Sequence, residues 1–238
     1  DNEDEIYFLS VLNIMRGYPD GTFLPDGYIT RAEFASIAAK MLNLNTHSNG
    51  NTFDDVTSEH WAYESVQSCY DLGLINGVGD KRYEPDADVS YNDAVKIIVS
   101  ALGYNDAAMQ YGGYPDGYLK IAYSLRILDK VAEDNGKITR ANIAQLCYNS
   151  LFAELRTVLD VDTSKNIDED ETLLSKVFHL YKDEGIVTEV TGTSLTNSDI
   201  TGTDEEYIKI NNVRFRTDYP NYRSLLGYNV EIYYKENK

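Results

Sequence analysis

The chain has 238 residues and is 42% hydrophobic, enough for a real core in one or two domains. Its formal net charge of −18 excludes most nucleic-acid binders, whose affinity rests on Lys and Arg meeting phosphate, and predicts repulsion from anionic surfaces except at local basic points. No apolar run is long enough to span a bilayer, so membrane insertion is not expected.

The start, Asp1–Glu5, is acidic where a signal peptide would be basic, and it lacks Met. That reads as an excised fragment or a mature form of a longer protein. Cys69 and Cys147 are too few for a disulfide framework and fall in helical patterns, so both are read as free buried thiols. The 20 tyrosines are read as filling half-buried positions, with a sugar-facing surface as the alternative.

In chain order, IYFLSVLNIM from Ile6 reads as a helix, GYPDGTFLPDGYIT from Gly17 as a loop, and YITRAEFASIAAKML from Tyr28 as a second helix. The pattern returns as HWAYESVQSCYDLGLI from His60 and DVSYNDAVKIIVSAL from Asp88, then as GYPDGYLKIAYSLRIL from Gly113 and KITRANIAQLCYNSL from Lys137. Stacking Ile29 on Val89 and Ile138 also stacks Phe34, Ala94 and Ile143, then Ile37, Ile97 and Leu146, then Leu42, Leu102 and Leu151. Apolar residues three and four apart mark a helix's buried face. The first helices align as Leu12, Leu72 and Leu125, with Trp61 on Tyr114 and Asp1 where a third aromatic would stand. The unit is therefore helix, loop, helix, written three times. GYPDG occurs at Gly17–Gly21 and Gly113–Gly117, but the first copy follows a first helix and the second precedes one. The shared word is turn chemistry, not register.

Thr30 with Glu33 reads as a capping box, and Ser90 with Asp93 and Thr139 with Asn142 as weaker versions. Arg31 and Arg140 place a cation in a first turn, against the helix dipole, so something must offset them. A bound anion on exposed N–H groups would, and so would an acidic residue of a neighbouring loop. Tyr91 holds the equivalent position in the middle copy. Gly17 and Gly77 share a place after the first helix and read as C-terminal caps with positive φ. Trp61 either plugs an interface between repeats or lies against a sugar face. Asp54 and Asp55 either accept sugar hydroxyls or cap the next turn. Lys81 and Arg82 are further local cations without an assigned role.

DVDTSKNIDEDE places Asp160, Asp162, Ser164, Asn166, Asp168 and Glu171 at calcium-loop positions, but Lys165 stands where the turn needs Gly. We read it as a solvated acidic linker, with a calcium-dependent surface module as the alternative; otherwise no metal or cofactor is expected. TLLSKVFHLYKDEG then reads as a short helix ended by Gly185. IVTEV, YIKI, VRFR and YNVEIYY read as strands of a small β-rich domain, and a stop just after a strand suggests truncation. No HExxH, GxSxG or P-loop is present, His47, His60 and His179 are scattered, and no carboxylate pair stands out for glycoside cleavage. The chain is read as non-enzymatic.

Across roughly residues 1–155 the text resembles the S-layer homology (SLH) family. The carriers are NIMRGYPDGTFLPDGYITRAEFASIAAKML, then the copy opening FDDV and HWA, then the more divergent GGYPDGYLKIAYSLRIL with KITRANIAQLCYNSL. The resemblance implies an α+β fold class: a mainly α, pseudo-threefold bundle of helix-loop-helix repeats, then the β-rich domain. The domains would be 1–50 (repeat one, cut at its start), 51–105, 106–158 (divergent), an acidic linker 159–171, and 172–238. It implies non-covalent anchoring of an exported protein to the bacterial cell wall, by grooves between repeats that bind secondary cell wall polysaccharide, often through a pyruvate ketal. Arg31 and Arg140 would contact the anion, with Trp61, Asp54, Asp55, Gly17, Gly77, Tyr91 and Tyr114 as groove residues. Tyr91 and the weakened third copy leave at most two competent grooves. Location would be extracellular, at the wall or S-layer, and partners would be wall polysaccharide and other surface proteins. The alternative is a glycan-independent scaffold for protein assembly.

Overall fold

Three short extended stretches, each just before a second helix, bridge one another in a cycle: Tyr28 with Thr139, Thr30 with Asp88, and Ser90 with Lys137. These bridges organise the helical part. The computed structural model describes residues 2–44, 50, 52–156, 171–195 and 205–235. It divides into two compact units, Asp1–Phe178 and His179–Lys238.

In chain order the helices are α1 (Glu3–Val11), α2 (Arg31–Met41), α3 (Tyr63–Asp71), α4 (Tyr91–Ala101), α5 (Asn105–Gln110), α6 (Asp116–Ser124), α7 (Arg140–Leu151) and α8 (Leu173–Phe178). The repeat's first helices are α1, α3 and α6; its second helices are α2, α4 and α7. Helix α2 packs on α3, α4 on α6, and α1 on α7. Each second helix therefore lies against the first helix of another repeat. The stacked positions are the core: Ile29, Val89, Ile138, Phe34, Ala94 and Ile143 are all at most 2% exposed. Both cysteines are free and buried. Burial pushes the Cys69 thiol up to about 12.

The capping devices form. Thr30 accepts from the Glu33 amide, and Glu33 Oε2 accepts from the Thr30 amide at 2.9 Å. Ser90 and Thr139 accept from the Asp93 and Asn142 amides. Thr30→Ala is expected to cost about 1 kcal/mol, read as a lower urea midpoint with an unchanged slope; an unchanged midpoint would mean the bridges alone fix this helix start.

Several sequence expectations are corrected. The positive-φ residues that end the first helices are Asn13, Gly73 and Arg126, just after the caps Leu12, Leu72 and Leu125. Gly17 and Gly77 lie four residues further on, outside the positive-φ region. They are small for a different reason: an added Cβ would stand 2.7 Å from the Thr22 carbonyl oxygen at Gly17, and 2.6 Å from that of Arg82 at Gly77. Helix α5 was not anticipated; it packs beside α6, where a Cβ on Gly117 would meet the Ala108 carbonyl. Helix α8 clusters with the helical unit rather than with residues 179–238, since Leu155 donates to the Glu171 carbonyl and α8 packs on α7. It ends at Phe178, not Gly185, because His179 turns to φ 53.

In the second unit the strands are β1 (Tyr181–Ile186), β2 (Glu189–Val190), β3 (Thr193–Ser194), β4 (Tyr207–Ile210), β5 (Val213–Arg216) and β6 (Asn229–Tyr234). They form an antiparallel β1–β6 pair and a sheet in the order β3-β2-β4-β5. Asn211 and Asn212, both at positive φ, turn β4 into β5 as a two-residue hairpin. Val187, Val190, Ile208, Ile210 and Tyr222 are the core. Glu189 is buried beside them, accepting from the Tyr207 hydroxyl and the Arg214 guanidinium, both at 2.6 Å.

Candidate functional site

Two grooves in the helical unit share one plan. In the first, Arg140 reaches from the start of α7 into the loop after α1. Its Nε donates to the Phe23 carbonyl at 2.9 Å and its Nη2 to the Arg16 carbonyl at 3.1 Å. Its Nη1 lies 3.5 Å from Glu33, and the guanidinium sits 4.4 Å from the Tyr18 ring centre. In the second, Arg31 repeats this on partners sixty positions further along the chain: Nε to the Tyr83 carbonyl at 2.8 Å, Nη2 to the Asn76 carbonyl at 2.9 Å, Asp93 at 4.0 Å, and the Tyr83 ring 4.5 Å distant. The planar fork suits two carbonyls at once, and the ring face takes the cation.

This arrangement answers what offsets a cation in a first turn. Backbone carbonyls, an aromatic face and a carboxylate do so, the last from a helix rather than from a loop. Nor are the helix starts open. The Arg31 and Ala32 amides donate to the Ala87 and Pro85 carbonyls, the Arg140 and Ala141 amides to those of Gly27 and Pro25, and the Tyr91 amide to that of Gly136. Each repeat's connecting loop thus covers the start of another repeat's second helix. The first-turn amides expected to hold an anion are already satisfied by protein.

Beside each Arg lies a cavity. That at Arg140 is about 210 Å³ and is lined by Arg16, Gly17, Tyr18, Lys40 and Trp61 among others. That at Arg31 is about 190 Å³, lined by Asn76, Gly77, Asp93 and Lys96. Arg140 is nearly closed off, at 4% exposed, whereas Trp61 is 65% exposed with His60 stacked on it. Trp61 is therefore not core. It stands in the groove wall because the entry to α3 carries it over the loop of repeat one. Tyr114, its counterpart, is exposed, and its hydroxyl donates to Asp93 at 3.1 Å, beside the second groove. One groove thus gathers residues from all three repeats.

Asp54 and Asp55 line neither cavity. Asp55 accepts from the Tyr83 and Glu84 amides, both at 2.8 Å. Burial pushes its carboxyl up, but these bonds outweigh burial and hold it below the ordinary range. Asp55 clamps the second loop. Tyr91 is 7% exposed and fills the third interface. There Asn142 stands in place of Glu33 and Asp93 and accepts from the Ala132 amide, so the motif positions carry no charge. Lys130, at φ 62, stands where Gly17 and Gly77 do.

Sequence reading missed Arg16, Lys40 and Lys96 as groove residues. The signal was available for the two lysines: they lie on the exposed side of the aligned second helices. The calcium-loop residues Asp160, Asp162, Ser164, Asn166 and Asp168 lie outside the described residues. Among the described residues no group of three or more His, Cys, Asp or Glu forms a candidate metal site, and no helix is long and apolar enough to cross a membrane.

The chain is 30% identical over 181 residues to the Middle cell wall protein of Brevibacillus brevis, covering 74% of this chain and 17% of that protein. It is 30% identical over 184 residues to the Surface layer protein of Brevibacillus choshinensis, covering 73% and 16%. It is 32% identical over 120 residues to the Cellulosome-anchoring protein of Acetivibrio thermocellus, covering 48% and 27%. The chain thus spans about a quarter or less of the length of these relatives. Residues 2–35 and 52–95 match the model of the S-layer homology domain. With the repeats and the grooves they enclose, these matches identify the chain as a bacterial cell-surface protein of the S-layer homology family.

Proposed function

We propose that the helical unit holds an exported protein on the bacterial cell wall, without a covalent bond, by binding an anionic, pyruvylated secondary wall polysaccharide in the Arg140 groove. The observation that carries this reading is the exposed Trp61 in the same cavity as Arg140. An exposed indole offers a sugar a flat apolar face, and the guanidinium supplies positive potential for a carboxylate. The Arg31 groove is a second seat, with Tyr114 in the aromatic role. The reading assigns no reaction to the chain.

Co-sedimentation with cell wall sacculi tests it, comparing native sacculi with sacculi stripped of polysaccharide by acid. Binding to native walls that disappears on stripping is expected. Equal binding to both, or to neither, sinks the reading. A second reading, a scaffold for protein assembly, is favoured by one observation: Tyr91 fills the third interface. Retention on stripped walls only when another surface protein is present would support it.

A further inference from the structure

The two grooves differ in charge that no protein group neutralises. Arg140 is committed: its donors go to Phe23, Arg16 and Glu33. Glu33 is committed too, since it also accepts from the Tyr18 hydroxyl and the Thr30 amide. Two further cations, Arg16 and Lys40, line the same cavity. Among the described residues neither side chain has an ion pair. The Lys40 ammonium is held below its ordinary value, first by burial and then by the positive charge of Arg16. Like charges left facing each other destabilise the free protein. The Arg31 groove lacks the pair. Asn76 and Ser100 hold the equivalent places. Its one extra cation, Lys96, also faces Arg31, but Asp93 beside it offsets that repulsion, and the Asn76 amide, turned so that its oxygen faces the ammonium, accepts from it at 3.0 Å.

We propose that Arg16 and Lys40 together seat an acidic group of the ligand, carboxylate or phosphate, at the mouth of the Arg140 groove beside Trp61, which makes this groove the stronger and the more salt-sensitive of the two. The ligand's identity rests on the anchoring reading above; the cation pair does not. An anion between the two side chains relieves their repulsion and raises the Lys40 titration midpoint. The motif Arg then shapes the groove, and the pair supplies the attraction.

Two measurements separate the claims. In the first, purified wall polysaccharide is titrated into the wild type, Arg16→Gln, Lys40→Gln and Lys96→Gln, at two salt concentrations. Arg16→Gln and Lys40→Gln are each expected to weaken binding about tenfold, the scale of one charge-assisted contact, and to flatten the salt dependence. Lys96→Gln is expected to change it less than about threefold. In the second, the Lys40 ammonium is titrated by NMR in the wild type, with and without inorganic phosphate, and in Arg16→Gln. Phosphate is expected to raise the midpoint, and so is Arg16→Gln without phosphate. Polysaccharide binding that is indifferent to Arg16 and Lys40 overturns the pair and leaves the anchor standing. A phosphate response without polysaccharide binding overturns the anchor and leaves the pair. A midpoint unmoved by either phosphate or Arg16→Gln overturns the pair outright. Arg16 and Lys40 are surface residues, so a melting temperature no lower than that of the wild type will show that the variants fold.

Discussion

Arg140→Ala is expected to lower the free energy of unfolding by about 3 kcal/mol and to abolish binding to native cell walls. The stability loss follows from what the side chain leaves behind. The Phe23 and Arg16 carbonyls and the Glu33 carboxylate would all lose a donor in a place that admits little water. Removing one partner of a buried charged network leaves the others uncompensated, at a cost of about 3–5 kcal/mol; Glu33 is partly exposed, which puts the expectation at the low end. Arg140→Lys separates charge from shape. A lysine keeps the charge but cannot span two carbonyls and a carboxylate at once, so most of the stability loss should remain. Urea denaturation gives the first quantity and co-sedimentation at low temperature, where the variant remains folded, the second. An alanine variant as stable as the wild type would mean that the guanidinium is only a surface contact. One that is destabilised yet binds normally would move the ligand site away from this groove.

The second large effect is expected at the loop glycines. An alanine Cβ at Gly17 would stand 2.7 Å from the Thr22 oxygen, and at Gly77 it would meet both the Arg82 oxygen and the Phe53 ring at 2.6 Å. Backbone cannot step aside as a side chain can, so each substitution should cost about 2–3 kcal/mol through displacement of its loop. The functional consequences should differ. Gly17→Ala moves the Arg16 carbonyl off Arg140 and should weaken wall binding about tenfold, the scale of one charge-assisted contact. Gly77→Ala disturbs only the Arg31 groove and should leave the stronger groove intact. Gly21, at φ 87 with nothing within 4 Å of an added Cβ, is the control: its alanine variant carries local backbone strain of about 1 kcal/mol and no collision. Equal binding losses at Gly17 and Gly77 would overturn the ranking of the grooves.

What sequence revealed and what it hid divide along one physical line. The second helices and their caps were legible because period and capping are local: Ile29, Phe34, Ile37 and the Thr30–Glu33 pair lie within one short stretch. The grooves are not local. Arg140 meets Phe23 and Arg16 across more than a hundred residues, and no spacing rule connects them. For the same reason Trp61 read either as an interface plug or as a sugar face; it stands open in the wall of a groove built mainly from the other two repeats. The arginines looked like free first-turn cations because the carbonyls that hold them belong to different repeats. Gly17 and Gly77 read as caps at positive φ, and that cause fails; close approach takes its place, and the two look identical in sequence. The strand at Tyr181–Ile186 was hidden by helical-looking text; its partner β6 lies some fifty residues away.

The cycle of bridges between Tyr28 and Thr139, Thr30 and Asp88, and Ser90 and Lys137 has a consequence for how such a module can change. Open stacks of repeats grow by adding members and need special end units to shield their terminal faces. A closed triangle has neither ends nor vacancies. A fourth repeat would find no edge to join, and loss of any one repeat would dismantle the Arg140 groove, which borrows from all three. Binding strength in this architecture cannot be adjusted by copy number. It can be adjusted only by exchanging side chains at fixed seats, as Tyr91, Arg31 and Arg140 already illustrate within a single chain.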